Sequence, residues 1–227
     1  ETSIIEFLEG YWPRWMEPIR RWLLDKKMRR TKSLEQRWLT LAQLLRDEQQ
    51  EGFIQLEEEF IQLDRKKHYL PLPHKLMPTR FGNILRSMER LPLEKYGLDA
   101  LLCWPRLWLL LPDSVKKELA EAQAELNNAA RMWFWSILFP FWGIWAIGGE
   151  LWALIAIPLG LASAWFSYLW AISAAIVYSD LVEATFDLYR TLLYETLRWK
   201  LPEDSNEERR VGQQLNQYLW RGEIVTH

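Results

Sequence analysis

The stretch Met132-Trp-Phe-Trp-Ser-Ile-Leu-Phe-Pro-Phe-Trp-Gly-Ile-Trp-Ala-Ile-Gly148 decides the fold class. It is 17 residues without a charge, about 25 Å as a helix at 1.5 Å per residue. A bilayer's hydrocarbon core is about 30 Å thick, so this is a short span. Gly148-Gly-Glu150 follows as a polar turn. Leu151–Tyr178 is then 28 residues without a charge, about 42 Å as a helix. Two antiparallel spans joined by three residues are the economical reading, because every backbone amide in lipid needs an internal partner and a helix supplies one. The alternative is a first segment that enters only part way and turns back. A soluble core is the poorer reading, since helices apolar all round belong to membranes or large proteins.

Working outward, the basic residues orient this hairpin. Of 28 Lys and Arg, 22 lie in residues 1–131 and 6 in residues 190–227. The turn carries only Glu150, whereas Arg131 flanks the entry and Arg190, Arg198 and Lys200 follow the exit. Basic residues stay on the cytosolic side, which places both hairpin ends there. Gly160 and Ala164 form one small-xxx-small step that permits close helix contact. The expected organisation is therefore an all-α integral membrane protein. It has a cytosolic or interfacial helical domain (1–131), a transmembrane helical hairpin (132–178, as 132–148 and 151–178) and a cytosolic helical tail (179–227). The first residue is Glu1, and a segment ahead of it could itself be apolar.

Composition agrees with two unlike parts. The mean hydropathy of -0.21 averages a charged body with an apolar hairpin. Fifteen Trp is several times ordinary usage, and Trp collects where one end of the ring is apolar and the other wet. The net charge of -2 supplies no field for nucleic acid, so no nucleic-acid partner is expected. Cys103 is the single cysteine, which excludes an intramolecular disulfide and fits a reducing compartment.

Helical spacing runs through the rest. Residues 4–24 set Trp12, Trp15 and Trp22 beside Arg14, Arg20 and Arg21, with Pro13 and Pro18 as interruptions. They read either as a broken interfacial piece or as a core helix of the cytosolic domain. Residues 33–66 carry two apolar stripes, out of phase across Asp47–Gly52, and read as two antiparallel helices. Three prolines make 68–80 extended. Short helices are expected over 83–90 and 94–103. Trp104–Leu111 is too short to span and suits an interface or a partner groove. Asp113 or Ser114 then caps a helix, with Val115, Leu119, Ala122 and Leu126 on one face, running unbroken into the membrane.

No catalytic set stands out. Asp180, Glu183 and Asp187 leave the second span on one helix face. They read as a pore rim or cation site, or more plainly as a wet helix with Arg190 pairing Asp187 or Glu183. His68, His74 and His227 lack metal-site spacing, and no metal or cofactor is expected. Cys103 has no neighbouring His and reads as a buried structural thiol. Arg80 and Arg106, each beside apolar residues and proline, suit a lipid phosphate, a partner carboxylate or a helix carbonyl.

Met77-Pro-Thr-Arg-Phe-Gly-Asn-Ile-Leu-Arg86 and Tyr96-Gly-Leu-Asp-Ala-Leu-Leu-Cys-Trp-Pro-Arg-Leu-Trp108 resemble motifs of an uncharacterised family of bacterial integral membrane proteins. Leu8-Glu-Gly-Tyr-Trp12 and Phe186-Asp-Leu-Tyr-Arg190 are similar to further stretches of it. The resemblance covers most of the chain and implies topology rather than activity: a bacterial cytoplasmic-membrane protein with an N-terminal membrane segment ahead of the Glu-Gly-Tyr-Trp region, a cytosolic helical domain, a hairpin and a cytosolic tail. It implies that Arg80, Asn83, Arg86, Asp99 and Arg106 form the distinctive polar set, at the membrane-proximal surface or binding a partner. A non-enzymatic scaffold or anchor, assembling with itself or a membrane or cytosolic partner through Trp-rich helices, is the expected role. An oligomeric pore with the 180–187 face at its mouth is the alternative. A lipid-modifying enzyme near Arg80 and Arg106 is a distant third, with only Asp99 and His74 at hand.

Overall fold

The computed structural model describes residues 2–45, 53–146 and 155–222. Among these every regular element is helical: α1 (Thr2–Glu9), α2 (Glu17–Leu44), α3 (Phe53–His68), α4 (Arg80–Tyr96), α5 (Ala100–Leu110), α6 (Asp113–Ala146), α7 (Ala156–Thr196) and α8 (Ser205–Arg221). The expected turn at 148–150 and the break at Asp47–Gly52 lie outside the described residues, as does His227. The chain forms two compact units, residues 9–87 and residues 1–8 with 88–227. The division between these units falls inside α4.

In the 9–87 unit, Pro18 does not interrupt a helix. It stands in the first turn of α2, where a missing N–H costs nothing, so α2 starts far earlier than residue 33. α2 and α3 run antiparallel: Arg37 pairs with Glu59, while Trp38 packs on Phe60 (5.4 Å) and donates its indole N–H to Asp64 (3.0 Å). Trp15, Ile19 and Trp22 are exposed, so this end of α2 is not core. The 68–80 segment is not extended throughout: His68 ends α3, Pro73–Lys75 forms a 3₁₀ turn and Arg80 opens α4, which the chain enters through a knot of hydrogen bonds. The Asn83 side chain accepts from the Met77 amide (2.8 Å) and donates to the carbonyls of Met77 (3.1 Å) and Thr79 (2.7 Å). Thr79 donates to the Glu9 carbonyl (2.9 Å) and accepts from the Gly82 amide (2.9 Å). Glycine is required at 82, because a Cβ there would lie 2.2 Å from the Glu9 oxygen.

In the other unit, one helix was expected over 94–103, but the chain breaks there. Gly97 takes a left-handed φ of +71°, and Asp99 caps α5 by accepting from the Leu101 (2.9 Å) and Leu102 (3.3 Å) amides. The 83–90 helix extends as α4 to Tyr96 in spite of Pro92. Trp104–Leu111 belongs mostly to α5, whose Cys103 and Leu107 are fully buried. They join Leu98, Leu119, Phe186, Tyr194 and Leu215 in the core, with Trp104 against Phe186 (5.9 Å).

α6 begins at Asp113 and continues through Ala146 without a break, burying Leu119, Ala122 and Leu126 as read. α7 lies antiparallel to it. Ser136 meets Ser163 (Oγ to Oγ 2.8 Å) and the Pro140 ring fills the notch of Gly160, where a Cβ would sit 2.5 Å from the ring. The α7 seam is built from small residues: Ala156, Gly160, Ala164, Ser167, Ala171 and Ala175 are buried. Large side chains point the other way, with Phe141, Trp142, Leu161, Trp165 and Phe166 each exposed by 59% or more. This register sets 171–178 opposite the charged part of α6. Ala171, Ile172, Ala174 and Ala175 are accordingly buried, so the last third of the uncharged run is core. Among the described residues one helix, Ala156–Thr196, is long and apolar enough to cross a membrane by length and composition. The apolar part of α6 that is described, residues 132–146, reaches only about 22 Å.

Candidate functional site

Most of the polar residues singled out in the sequence hold backbone. Asn83 is buried within its knot, Asp99 caps α5, and Arg106 donates to the Leu102 carbonyl (2.6 Å) in the turn that Pro105 disturbs. Arg86 bonds the Tyr11 hydroxyl within the 9–87 unit. Arg80 alone among them has no such bond among the described residues.

Arg80 instead borders an open cavity of about 730 Å³ within the 9–87 unit. Lys27 and Arg30 come from α2, Arg65 and Lys66 from α3, and Arg80 from the first turn of α4. The hairpin of α2 and α3 sets the first four, since residues 27–34 and 62–70 face each other across it. The Thr79–Asn83 knot sets the fifth. Leu34, Leu70 and the buried Ile84 give the cavity an apolar wall. Among the described residues no carboxylate lines it. Burial, and then the charge of Arg80, lowers the Lys27 ammonium from its usual value to about 8. The sequence held a signal for this cluster: Lys27, Arg30 and Thr31 repeat at helical spacing, as do Gln62, Arg65 and Lys66. What it did not show was that the two basic faces oppose each other.

The acidic face of α7 has a different fate. Lys95 donates to Glu183 (2.5 Å) and to Asp187 (3.3 Å), and the Tyr96 hydroxyl donates to Asp187 (2.6 Å). Arg190 does not take either carboxylate as its partner. It pairs with Glu208 of α8 (2.7 Å), bonds the Asp187 carbonyl, and lies 4.0 Å from the Tyr96 ring centre. Asp180 is exposed. Burial opposes the charge on Lys95, but the Glu183 hydrogen bond and the charges of Glu183 and Asp187 outweigh it and raise its pKa. Burial and the bond to Asp187 push the Tyr96 phenol up to about 12. Cys103 is fully buried, and burial followed by the Asp99 charge pushes its thiol up to about 12, far from a thiolate at neutral pH. No family model matches this chain, and none of the curated proteins or solved structures with which it was compared matches it.

Proposed function

We propose that this protein is a membrane-anchored, non-enzymatic helical scaffold, held in the cytoplasmic membrane by the α6–α7 pair. The observation that carries the anchor is the inverted packing of 132–146 against 155–170. Small residues meet between the helices, while Phe139, Phe141, Trp142, Leu159, Leu161, Trp165 and Phe166 face outward. A contiguous apolar surface of that kind is untenable in water and ordinary in lipid. The belt fades at Trp170, whose indole N–H reaches Glu125 (3.2 Å), as suits a ring at the polar boundary. The second span is then shorter than 151–178 and ends near residue 170. The exposed Trp15, Ile19 and Trp22, with Arg14 and Arg21 beside them, fit a segment lying at the interface. The scaffold reading draws on the fate of the polar residues: Asp99, Asn83 and Arg106 hold local backbone, and Glu183 and Asp187 tie α7 to Lys95 and Tyr96 of α4. Glu183 and Asp187, paired to Lys95, suit a brace better than the mouth of a pore.

The test is topology in membranes. Single cysteines are placed at Glu150 and at Glu118 in a Cys103→Ser background and treated with a membrane-impermeant maleimide on intact cells. The anchor predicts retention in the membrane after alkaline extraction, with labelling at 150 and none at 118 until the cells are opened. Release by alkali, or equal labelling of both sites in intact cells, would refute it.

A further inference from the structure

The cavity of the 9–87 unit carries a different inference, one that stands whether or not the hairpin enters lipid. Cations in this chain are paired where acids are near: Arg20 and Arg21 share Glu17, Arg37 takes Glu59, Lys95 takes Glu183 and Asp187, and Arg190 takes Glu208. At the cavity the pattern reverses. Lys27, Arg30, Arg65, Lys66 and Arg80 line one hollow, and none of them has an ion-pair partner among the described residues. Lys27 is half-buried while Arg30, Arg65, Lys66 and Arg80 are exposed around it, so five like charges about one open space repel, though solvent screens them more than it would in a closed site. A fold keeps such a cluster at a cost in stability, which an anion in the cavity would relieve.

The cluster is also built rather than accidental. Three helices contribute, and the α4 contribution is held by the buried Asn83 and by the close approach of Glu9 to Gly82. The charge comes from side chains, not from the end of α4, whose Gly82 amide is already taken by Thr79. Three arginines supply paired, planar donors that match phosphate oxygens, and two lysines supply compact charges. The cavity is far larger than a phosphate ion, and Leu34, Leu70 and Ile84 line it beside the cations. A ligand of ordinary small-molecule size, charged at one end and carbon-rich at the other, matches both walls.

We propose that the Lys27–Arg30–Arg65–Lys66–Arg80 cavity binds a phosphate-bearing organic anion of two or more negative charges. Two sources share that chemistry: the headgroup region of a phosphomonoester lipid, and a soluble organic phosphate.

The experiment uses the full chain in a non-ionic detergent and calorimetric titration with three probes: dihexanoyl phosphatidate, dihexanoyl phosphatidylcholine and inositol hexakisphosphate. The expected result is saturable binding of phosphatidate, of the inositol phosphate or of both, weakened by added salt, with no binding of the zwitterionic choline lipid. Phosphatidate the tighter ligand identifies the lipid source, and the inositol phosphate the tighter ligand identifies the soluble one. Either way Arg80→Gln and Lys27→Gln each weaken binding by about tenfold, as the loss of one charged hydrogen bond does. Arg80→Lys keeps part of the affinity. Arg21→Gln, an exposed arginine on the same helix α2 that does not line the cavity, leaves it unchanged. Helicity by circular dichroism separates lost binding from lost folding. The proposal is overturned if neither anion binds at millimolar concentration, or if well-folded Arg80→Gln and Lys27→Gln bind as the parent does.

Discussion

Lys27 is where burial, charge and pH meet in one side chain. Its folded pKa of about 8 lies below the ordinary 10.5. Between those values the unfolded chain holds more protons at this residue than the folded one, so its contribution to stability rises with pH. Below pH 8 the half-buried ammonium, beside the charge of Arg80, weighs fully against folding. Lys27→Met is therefore expected to stabilise the protein at pH 7 by about 2 kcal/mol, allowing for the solvent that reaches an open cavity. The gain should shrink as pH rises from 8 to 10.5. Urea denaturation at a series of pH values checks this, and a gain that does not change with pH contradicts it. At this scale the sequence marked Arg80 and Asn83 as unusual but could not divide their roles. Asn83 binds its own strand, a local matter. Arg80 matters because α2 and α3 bring four cations from residues 14 to 53 positions away, and no local pattern encodes that meeting.

Between elements, the contact of α6 with α7 turns on Gly160 and Pro140. A branched side chain at 160 must displace the proline ring, since even a Cβ would come within 2.5 Å of it. In a Cys103→Ser background, the pair Ser136→Cys and Ser163→Cys should oxidise readily to a disulfide, because the two hydroxyl oxygens lie 2.8 Å apart. Adding Gly160→Val should cut the cross-linked fraction several-fold on a gel, and an unchanged yield would contradict the packing. The long helices were the legible elements. α6 announces itself by a steady apolar face, which survives in the structure, whereas Asp113, read with Ser114 as its cap, is already the first helical residue. The α4–α5 region misled because Gly97 reads as a weak residue inside a helix, whereas its positive φ ends one. Pro18 misled in the opposite sense, since a proline that breaks a helix and one that opens it look alike until the preceding turn is known. The uncharged run 151–178 looked uniform because small core residues and lipid-suited residues are both apolar. Only the register against α6 separates Ala171–Ala175 from Leu159–Phe166.

For the whole molecule, the charge pattern marks a change of composition at 131, while the border between the two compact units lies within α4. The tail proved to be part of the core of its unit. Leu215 is fully buried, Asn216 donates to the Gly97 carbonyl (2.7 Å) and accepts from the Asp99 amide (2.9 Å), and two glycines bring backbones into touch. A Cβ at Gly212 would meet the Tyr96 oxygen at 2.2 Å, and one at Gly97 would meet the Arg209 oxygen at 2.2 Å. Gly212→Val should therefore lift α8 and destabilise this unit by about 2–3 kcal/mol. Faster hydrogen exchange in α5 and in the Phe186–Tyr194 stretch of α7 would report it, and unaltered protection there would contradict it. The same junction sets a timetable for synthesis. α8 leaves the ribosome only after α4 through α7 are made, yet it supplies the residue that seals their core. Until then Phe186 and Tyr194 lack their cover, and the apolar faces of 132–143 and 155–170 are already outside the ribosome. The α6–α7 pair is therefore complete before the rest of its own unit can close, with the order of events written into the position of one late helix.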